Sequence, residues 1–463
     1  MNILSVPFAL SAAPSADAVG SALNVAEILL ALSIALVAGL MLSRLAKLAQ
    51  LPAVTAYLVA GIIVGPYVLG RLGIGGIGFN SMEQLESFSI ISDVALGFIA
   101  FSIGNEFRLP QLKRIGKQAT IIGVVQAVIT TILVDAALIG LHFILGEEIL
   151  PLSATITLGA IATATAPAAT LMVVKQYKAK GPLTEILLPV VALDDAVGLV
   201  VFAISFGIAK ALIPGGTISV ISILVEPILE VILSLALGAL MGLVFTFCEK
   251  FFHSRSKRLS MSAGFVLLTV ALSKWEIPPV PVGGSEIHIA FSPLLTCMML
   301  GTVFCNICDF SEELMDRLDR WTAPLFVLFF VISGAELELS VFASLSVVLV
   351  GVVYIISRSA GKYSGAWISA KATRCDRKIV NFLGITLLPQ AGVALGMAKT
   401  VAETEGFENA AGIVRNITLF AVLIYELVGP MLTKIALTKA GEIRPEGKTS
   451  AREQAKLEKA SKK

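Results

Sequence analysis

The sequence is poor in charged residues. Asp, Glu, Lys and Arg make up 15% of its 463 residues, whereas soluble proteins usually carry about 25%. Apolar runs recur along nearly the whole length and the mean hydropathy is +0.88, so the sequence predicts an integral protein of a lipid bilayer. The net charge of +2 gives no support for a nucleic-acid partner. No stretch is long and polar enough to form a soluble domain.

Cysteine is also scarce, with five residues in the whole chain. Cys305 and Cys308 form a CxxC pair at a predicted helix end, but a structural zinc site would need a second pair of ligands nearby. The sequence therefore predicts neither a disulfide framework nor a cofactor. The first twenty residues lack a basic region ahead of their apolar stretch, which argues against a cleaved signal peptide.

The apolar runs divide into thirteen predicted membrane helices, so the expected fold is all-α. Basic residues concentrate in the connections after odd-numbered helices, and the positive-inside rule then places the N-terminus outside and the C-terminus in the cytoplasm. The predicted organisation is an extracytoplasmic segment over residues 1–21, a transmembrane domain over 22–440 and a disordered tail over 441–463. The predicted helices cover about 22–44, 53–70, 86–106, 118–145, 150–174, 184–209, 218–248, 259–274, 287–306, 321–336, 341–370, 380–400 and 412–438.

The fifth and twelfth predicted helices each contain a proline. Proline removes a backbone donor and clashes with the preceding turn, and for either helix alone a simple kink is an equally good interpretation. The two helices, however, hold equivalent places in two sets, over residues 53–209 and 287–438, which enter the membrane from opposite sides. Inverted repeats with paired broken helices place a transport site in this way. The residues predicted to line it are Thr163, Thr165, Pro167 and Thr170 in the first break, and Pro389, Gln390 and Gly392 in the second.

Asp194 and Asp195 lie side by side in the sixth predicted helix. An ionisable side chain at mid-membrane costs roughly 2.5–3.5 kcal/mol on insertion scales, so two in succession favour a functional role. The alternatives are a helix end near the headgroups, or one aspartate that caps a neighbouring helix. Carboxylates at that depth can take up a cation or a proton from either side, and the pair therefore predicts a transporter rather than an enzyme.

Helix eleven carries the predicted countercharge. Arg358 and Lys362 are four residues apart, so they share a helix face, at about the depth of the aspartates. At least one is predicted to face them, although Lys362 could instead extend to the interface. Because adjacent helical residues point about 100° apart, one aspartate can be held by this cation while the other faces a cavity.

These features together resemble the monovalent cation:proton antiporters, the family of bacterial sodium/proton and potassium/proton exchangers, in its electrogenic branch with paired aspartates. The resemblance implies a core domain and a dimer domain, and hence a homodimer in the bacterial inner membrane. It also implies that Asp195 takes the cation or the proton and that Asp194 pairs with Lys362 or Arg358, both of which match the spacing. The matching segments are 51–66, 163–170, 194–195, 330–334, 362–365 and 389–394.

The predicted function is secondary active exchange of a monovalent cation, Na+ or alternatively K+ or Li+, for protons by alternating access. The alternative is a cation-coupled symporter of a small organic solute, which would need a roomier polar pocket. An intramembrane aspartyl protease would need two aspartates on facing helices, and a channel would need a repeated filter. Neither of these last two patterns is present in the sequence.

Overall fold

The computed structural model describes residues 25–443 apart from 50, 75–76, 213–224, 253, 276, 279, 283–284, 288–289, 309, 338, 403 and 405–406. The predicted segment 1–21, most of the predicted tail 441–463 and the start of the predicted helix 218–248 lie outside the described residues. The helices are α1 (Val25–Leu48), α2 (Ala53–Val64), α3 (Met82–Ser87), α4 (Ser89–Asn105), α5 (Leu109–Leu145), α6 (Leu152–Ile161), α7 (Pro167–Gln176), α8 (Pro182–Ala211), α9 (Glu226–Glu249), α10 (Arg255–Ser273), α11 (Pro293–Ile307), α12 (Ser311–Ala335), α13 (Leu345–Ala372), α14 (Arg377–Thr386), α15 (Gly392–Ala402) and α16 (Glu408–Lys439).

This architecture confirms the predicted all-α membrane fold. Eight of the described helices are long and apolar enough to cross a bilayer: α1, α5, α8, α9, α12, α13, α16, and α2 together with the 3-10 turn Leu69–Leu72. Helices α4, α6, α11 and α15 are apolar but shorter. The count of thirteen crossings stays a prediction, because the other five predicted helices are short, divided or less apolar in the structure.

Between α10 and α11 the described chain forms a two-stranded antiparallel hairpin, β1 (Val280–Val282) and β2 (Ser285–Ile287). The predicted helix 287–306 therefore begins too early, because α11 starts at Pro293. The side chain of Ser292 accepts a hydrogen bond from the amide of Leu295 at 3.4 Å. Serine at the cap and proline at the first helical position are strong start signals, and they outweigh the apolar pattern before them.

The helices pack into two groups. Helices α1, α2, α4 and α9–α12 contact one another and are named the scaffold helices, whereas α5–α8 and α13–α16 form the site helices. One buried apolar cluster joins the groups, with Phe98 and Leu300 from the scaffold and Leu171 and Leu188 from the site helices. The scaffold helices and the site helices therefore pack against each other through apolar side chains.

Helices α5 and α13 approach backbone to backbone, because α13 presents two glycines one turn apart. A Cβ on Gly361 would lie 2.7 Å from the Cα of Thr130, and one on Gly365 would lie 2.7 Å from the Cα of Gln126. Membrane helices pack closely through small residues on one face. This contact brings Gln126 of α5 into the centre of the site helices.

Glu442 follows α16 and caps the helix that carries both aspartates. Its side chain is 3% exposed, and its carboxylate accepts hydrogen bonds from the amides of Leu183 and Thr184 at 2.7 and 2.8 Å and from the Thr184 hydroxyl at 2.7 Å. A carboxylate here satisfies free amides and complements the positive end of the helix dipole. Glu442 and Ile443, at the start of the predicted tail, are therefore packed against the site helices, and the tail beyond residue 443 lies outside the described residues.

Glu442→Ala is expected to lower the free energy of unfolding by about 2 kcal/mol, the upper value for losing a helix cap, because buried amides lose their acceptor. Thermal unfolding of the purified protein in detergent measures the change. Glu86 is an exposed carboxylate on α3, and Glu86→Ala is the matched control, with an expected change below about 0.5 kcal/mol. Equal effects of the two substitutions would contradict the capping role.

Candidate functional site

Two interrupted helices cross in the middle of the site helices. The first interruption separates α6 from α7 at residues 162–166, and the second separates α14 from α15 at residues 387–391. The amide of Ala166 donates a hydrogen bond to the carbonyl of Pro389 at 2.8 Å, so the two interruptions touch. The predicted pair of broken crossing helices is confirmed, and the simple kink is wrong. Pro167 begins α7 instead of bending it, which is a favourable place for proline.

Arg358 of α13 binds the free carbonyl groups at this crossing. Its guanidinium donates to the carbonyls of Ala162, Ala164 and Leu388 at 2.9, 2.6 and 2.8 Å, and it stacks on Tyr425 with 4.4 Å to the ring centroid. Helix ends leave carbonyl groups without partners and carry partial negative charge, and in lipid these groups must be satisfied within the protein. Arg358 supplies both the hydrogen-bond donors for these carbonyl groups and a positive charge beside the helix ends. Among the described residues, no ion pair joins Arg358 to an aspartate.

Gln390 makes a second tie at the crossing. Its side-chain amide donates to the carbonyl of Ile161 and to the hydroxyl oxygen of Tyr354, both at 3.0 Å. Gln390 and Tyr354 are fully buried. The last carbonyl of α6 is thereby held by a residue from the second interruption.

Lys362 lies against Asp194. The ammonium nitrogen is 2.7 Å from the Oδ2 of Asp194, with both side chains fully buried. It also donates to the carbonyl of Thr163 at 2.6 Å and to the Thr165 hydroxyl at 3.0 Å. Lys362 therefore connects the first interruption to α8, one helical turn along α13 from Arg358.

Asp194 is fully occupied by protein groups. Besides Lys362, it lies 2.5 Å from the hydroxyl of Thr165 and accepts a hydrogen bond from the side-chain amide of Gln126. Gln126 was not predicted from the sequence, although a strongly polar side chain inside an apolar helix is a signal for it. With all these partners, Asp194 has little capacity left for a ligand.

Asp195 is different. Its side chain is 4% exposed, yet neither carboxylate oxygen has a hydrogen-bond partner among the residues that the structure describes. A buried carboxylate without a partner is costly, and a bound proton or a cation removes that cost. Carboxylate oxygens are suitable ligands for hard cations. Asp195 is thus the open acid of the pair.

A cavity of about 660 Å³ lies at the lysine-rich end of the protein, against the first two turns of α8, the helix that carries this acid. Its inner wall includes Leu171, Leu188 and Pro189. Asp195 lies seven residues beyond Leu188 on α8, which is about 10 Å along the helix axis. Leu171 and Leu188 belong to the buried cluster that joins the two helix groups, so an apolar layer separates cavity and carboxylate. The mouth is lined by Glu106, Arg108, Lys175, Lys178, Lys180, Glu185 and Glu312.

The other predicted site residues lie close to the crossing but offer fewer free groups. The hydroxyls of Thr163 and Thr170 donate to backbone carbonyls of their own segment at 2.7 and 3.2 Å. Pro389 packs on α16, where a Cβ on Gly429 would lie 2.9 Å from its ring. Gly392 begins α15 beside open space. Of this set, the Thr163 carbonyl and the Thr165 hydroxyl contact the charged groups.

Sequence comparisons agree with this geometry. The family model described as "Sodium/hydrogen exchanger, transmembrane" matches residues 32–439. The K(+)/H(+) antiporter subunit KhtU of Bacillus subtilis is 23% identical over 385 residues, which cover 81% of this chain and 85% of KhtU. The high-affinity Na(+)/H(+) antiporter NhaS3 of Synechocystis is 28% identical over 265 residues, which cover 56% of this chain and 52% of NhaS3. The match thus spans about half the length of NhaS3.

Solved structures show the same fold. The sodium proton antiporter MjNhaP1 from Methanocaldococcus jannaschii at pH 8 is 18% identical, with a TM-score of 0.60 over 89% of this chain and 99% of that chain. An electron-microscopy structure of MjNhaP1 is 17% identical, with a TM-score of 0.70 over 91% of this chain and 100% of that chain. The matched family consists of transporters and not of enzymes. The chain belongs to the sodium/hydrogen exchanger family.

Proposed function

We propose that the chain exchanges a monovalent cation for protons by alternating access, and that Asp195 is the carboxylate for which the two ligands compete. One observation carries the proposal. Asp195 is buried with both oxygens free of hydrogen-bond partners among the described residues, beside an Asp194–Lys362 pair that is fully bonded. Asp195 can therefore bind a ligand, whereas Asp194 stabilises the crossing through its bonds to Lys362 and Thr165.

The chemistry of coupling follows from the cost of charge in the membrane. An empty, ionised Asp195 would carry an uncompensated negative charge at mid-membrane, which costs several kcal/mol. A proton or a monovalent cation neutralises it equally well. The site helices can therefore move between a position open to one side of the membrane and a position open to the other when a proton or a cation is bound to Asp195. They cannot move when Asp195 is empty. Each return therefore needs a ligand, and the outward passage of one ligand is coupled to the inward passage of the other.

The cavity supplies one route of access. It opens among lysines and reaches Leu171 and Leu188, which lie in the apolar layer between the two helix groups. Near its mouth Lys175 of α7 pairs with Asp319 of α12 at 2.7 Å, an ion pair that joins a site helix to a scaffold helix. Exposure of Asp195 to this cavity requires a small displacement of the site helices against the scaffold.

The named relatives favour Na+ and K+ as candidate ions, and Li+ is the third to test. NhaS3 is named a sodium/proton antiporter and KhtU a subunit of a potassium/proton antiporter. Family membership does not favour the symporter alternative. The apolar inner wall of the cavity at Leu171, Leu188 and Pro189 is also a poor lining for a polar organic solute.

The assembly and orientation are part of this proposal. We infer a homodimer in the bacterial inner membrane, with a dimer domain formed by scaffold helices, the lysine-lined cavity toward the cytoplasm and the N-terminus outside. The basic residues around the cavity support this orientation by the positive-inside rule. Helix α1 is one scaffold helix available for this contact, because its large apolar side chains such as Leu29, Leu45 and Leu48 are exposed, and either lipid or a second copy can cover them.

Proteoliposomes with a pH-sensitive dye test the exchange. Vesicles with an acidic interior should lose protons when Na+, K+ or Li+ is added outside without any organic solute, and the effective ion identifies the cation. Choline is the matched control cation and should have no effect. A symporter would respond only when its solute is present, and proton movement with none of the three cations would contradict the proposal.

A further inference from the structure

The last turn of α7 connects the site helices to the scaffold helices. The ammonium group of Lys175 lies 2.7 Å from each carboxylate oxygen of Asp319 on α12, and it also contacts the hydroxyl of Ser102 on α4. That hydroxyl in turn donates a hydrogen bond to Asp319 at 3.4 Å. Lys175 is therefore bound by two scaffold helices at once, through one carboxylate and one hydroxyl.

Gln176 adds a contact to a third scaffold helix. Its side-chain carbonyl oxygen accepts a hydrogen bond at 2.9 Å from the amide of Ala53, the first residue of α2. The first amides of a helix have no partner within that helix, and Pro52, which precedes α2, supplies no side-chain acceptor. Gln176 thus caps α2 from a neighbouring site helix. The name α7 latch is used for Lys175 and Gln176 together with their partners Asp319, Ser102 and Ala53.

Open space borders the latch on both sides. Lys175 lines the cavity at the lysine-rich end, and it also lines a second cavity of about 650 Å³ between α1, α2, α7 and α12. Large apolar side chains, among them Leu40, Tyr57 and Phe326, form much of the wall of this second cavity. Close packing is therefore interrupted on both sides of Lys175, and the polar contacts of the latch join this end of α7 to the scaffold.

Helix α7 carries a movement of the crossing to the latch. It begins at Pro167, directly after the first interruption, and Lys175 follows eight residues later, about 12 Å along the helix axis. Hydrogen bonds from nitrogen extend to about 3.2 Å, so a displacement of α7 by a few ångström breaks the contacts of Lys175 and Gln176. The displacement that exposes Asp195 must therefore open the latch.

Other ion pairs of the protein are not placed to act in this way. Lys274 pairs with Asp93 within the scaffold, and this pair keeps its geometry when the site helices move as a body. Arg108 pairs with Glu312 at 3.0 Å, but Arg108 lies in the short segment that joins α4 to α5, and the side chain of Glu312 is 80% exposed. The side chains of Lys175 and Asp319 are 24% and 35% exposed, so water screens their attraction less.

We propose that Lys175 and Asp319 are positioning residues for the exchange, because their ion pair holds the site helices in the position seen in the structure and breaks when Asp195 changes sides. The inference rests on the proposed function and adds to it the step that limits the rate of exchange. The pair stabilises the starting position and is absent while the helices move. Removing the pair therefore lowers the barrier to leaving that position.

The maximal exchange rate in proteoliposomes, at saturating NaCl or KCl, tests the latch. Asp319→Asn and Lys175→Gln should each raise this rate by about 1.5-fold to 5-fold, the range that a partly exposed ion pair contributes. The double variant should be no faster than the single variants, because the same pair is lost only once. The charge-reversed pair, Lys175→Asp with Asp319→Lys, should return the rate to the wild-type value.

Two further variants separate the latch from general effects of substitution. Gln176→Ala removes the contact to α2 at an exposed residue without changing any charge, and it should also raise the rate. Asp93→Asn breaks the pair within the scaffold, where the carboxylate side chain is 32% exposed against 35% for Asp319. This control should leave the rate unchanged. Thermal unfolding in detergent checks that each variant is folded.

Rates that stay at the wild-type value or fall in Asp319→Asn, Lys175→Gln and Gln176→Ala would overturn the latch. An increase that multiplies in the double variant, or that the charge-reversed pair fails to reverse, would show that the two residues act independently and would also overturn it. If the wild type exchanges neither Na+ nor K+ for protons, the proposed function itself fails. Normal exchange by the wild type with unchanged rates in the variants rejects the latch alone.

Discussion

Asp195→Asn is expected to abolish cation/proton exchange in proteoliposomes. The amide has almost the same shape but carries no charge, so it can neither neutralise a cation nor exchange a proton. Losing one partner of a buried charge pair costs about 2–5 kcal/mol, and about 1.4 kcal/mol corresponds to a tenfold change in affinity. The affinity for the cation should therefore fall by roughly 30-fold to 4,000-fold. Calorimetric titration of the purified variant with the transported cation measures this.

Glu230→Gln is the matched control for that experiment. Glu230 is a partly buried carboxylate on α9, a scaffold helix, so the same carboxylate-to-amide change is made inside an apolar helix away from the crossing. Its exchange rate and cation affinity should remain within about twofold of the wild type, a shift of less than 0.5 kcal/mol. Normal exchange by Asp195→Asn would show that another group binds the ion.

Lys362→Ala is expected to destabilise the protein by about 3–5 kcal/mol, because it leaves the buried Asp194 carboxylate without its cation. Adding Asp194→Asn removes that uncompensated charge, so the double variant should recover part of the loss. The difference between the double variant and the sum of the single variants is the coupling energy between the two residues. Thermal or denaturant unfolding in detergent gives the free energy of unfolding of the wild type, the two single variants and the double variant.

The same cycle with Arg358 is the control. Arg358 binds three carbonyl groups and not a carboxylate, so Arg358→Ala should be destabilising in its own right, but Asp194→Asn should not recover that loss. The coupling with Lys362 should therefore exceed the coupling with Arg358. Equal couplings, or a larger one for Arg358, would contradict the assignment of Lys362 as the partner of Asp194.

The sequence predicted the parts of this architecture that depend on local chemistry. Prolines at 167 and 389 and the polar residues around them indicated the two interruptions, because a membrane helix cannot lose backbone hydrogen bonds without a local cause. Asp194, Asp195, Arg358 and Lys362 were found because charge inside an apolar span is rare. The sequence left the choice between kink and interruption open, because it does not reveal whether the helix continues through a proline.

The remaining parts depend on contacts between distant segments. Arg358 and Lys362 share a face of α13 and differ by one turn, about 6 Å along the helix axis. The depth of a residue in the membrane cannot be estimated from the sequence to within one turn, so the sequence did not decide which of the two meets the carboxylate. Gln126 reaches Asp194 because α5 packs against α8 as well as α13, and a Cβ on Gly123 of α5 would lie 3.4 Å from the Cβ of Leu193 on α8. Glu442 looked like part of a charged tail, and its role as a cap depends on where α16 ends relative to α8.

The dependence of cation affinity on pH tests most directly whether a proton and a cation compete for one carboxylate. Calorimetric titrations of the wild-type protein in detergent, with the cation identified in proteoliposomes, give the apparent Kd at a series of pH values. Below the pKa of the binding carboxylate, the apparent Kd should rise about tenfold for each unit by which the pH falls, because each proton bound removes one cation site. A Kd that stays constant across the whole range in which the protein binds protons would contradict the account.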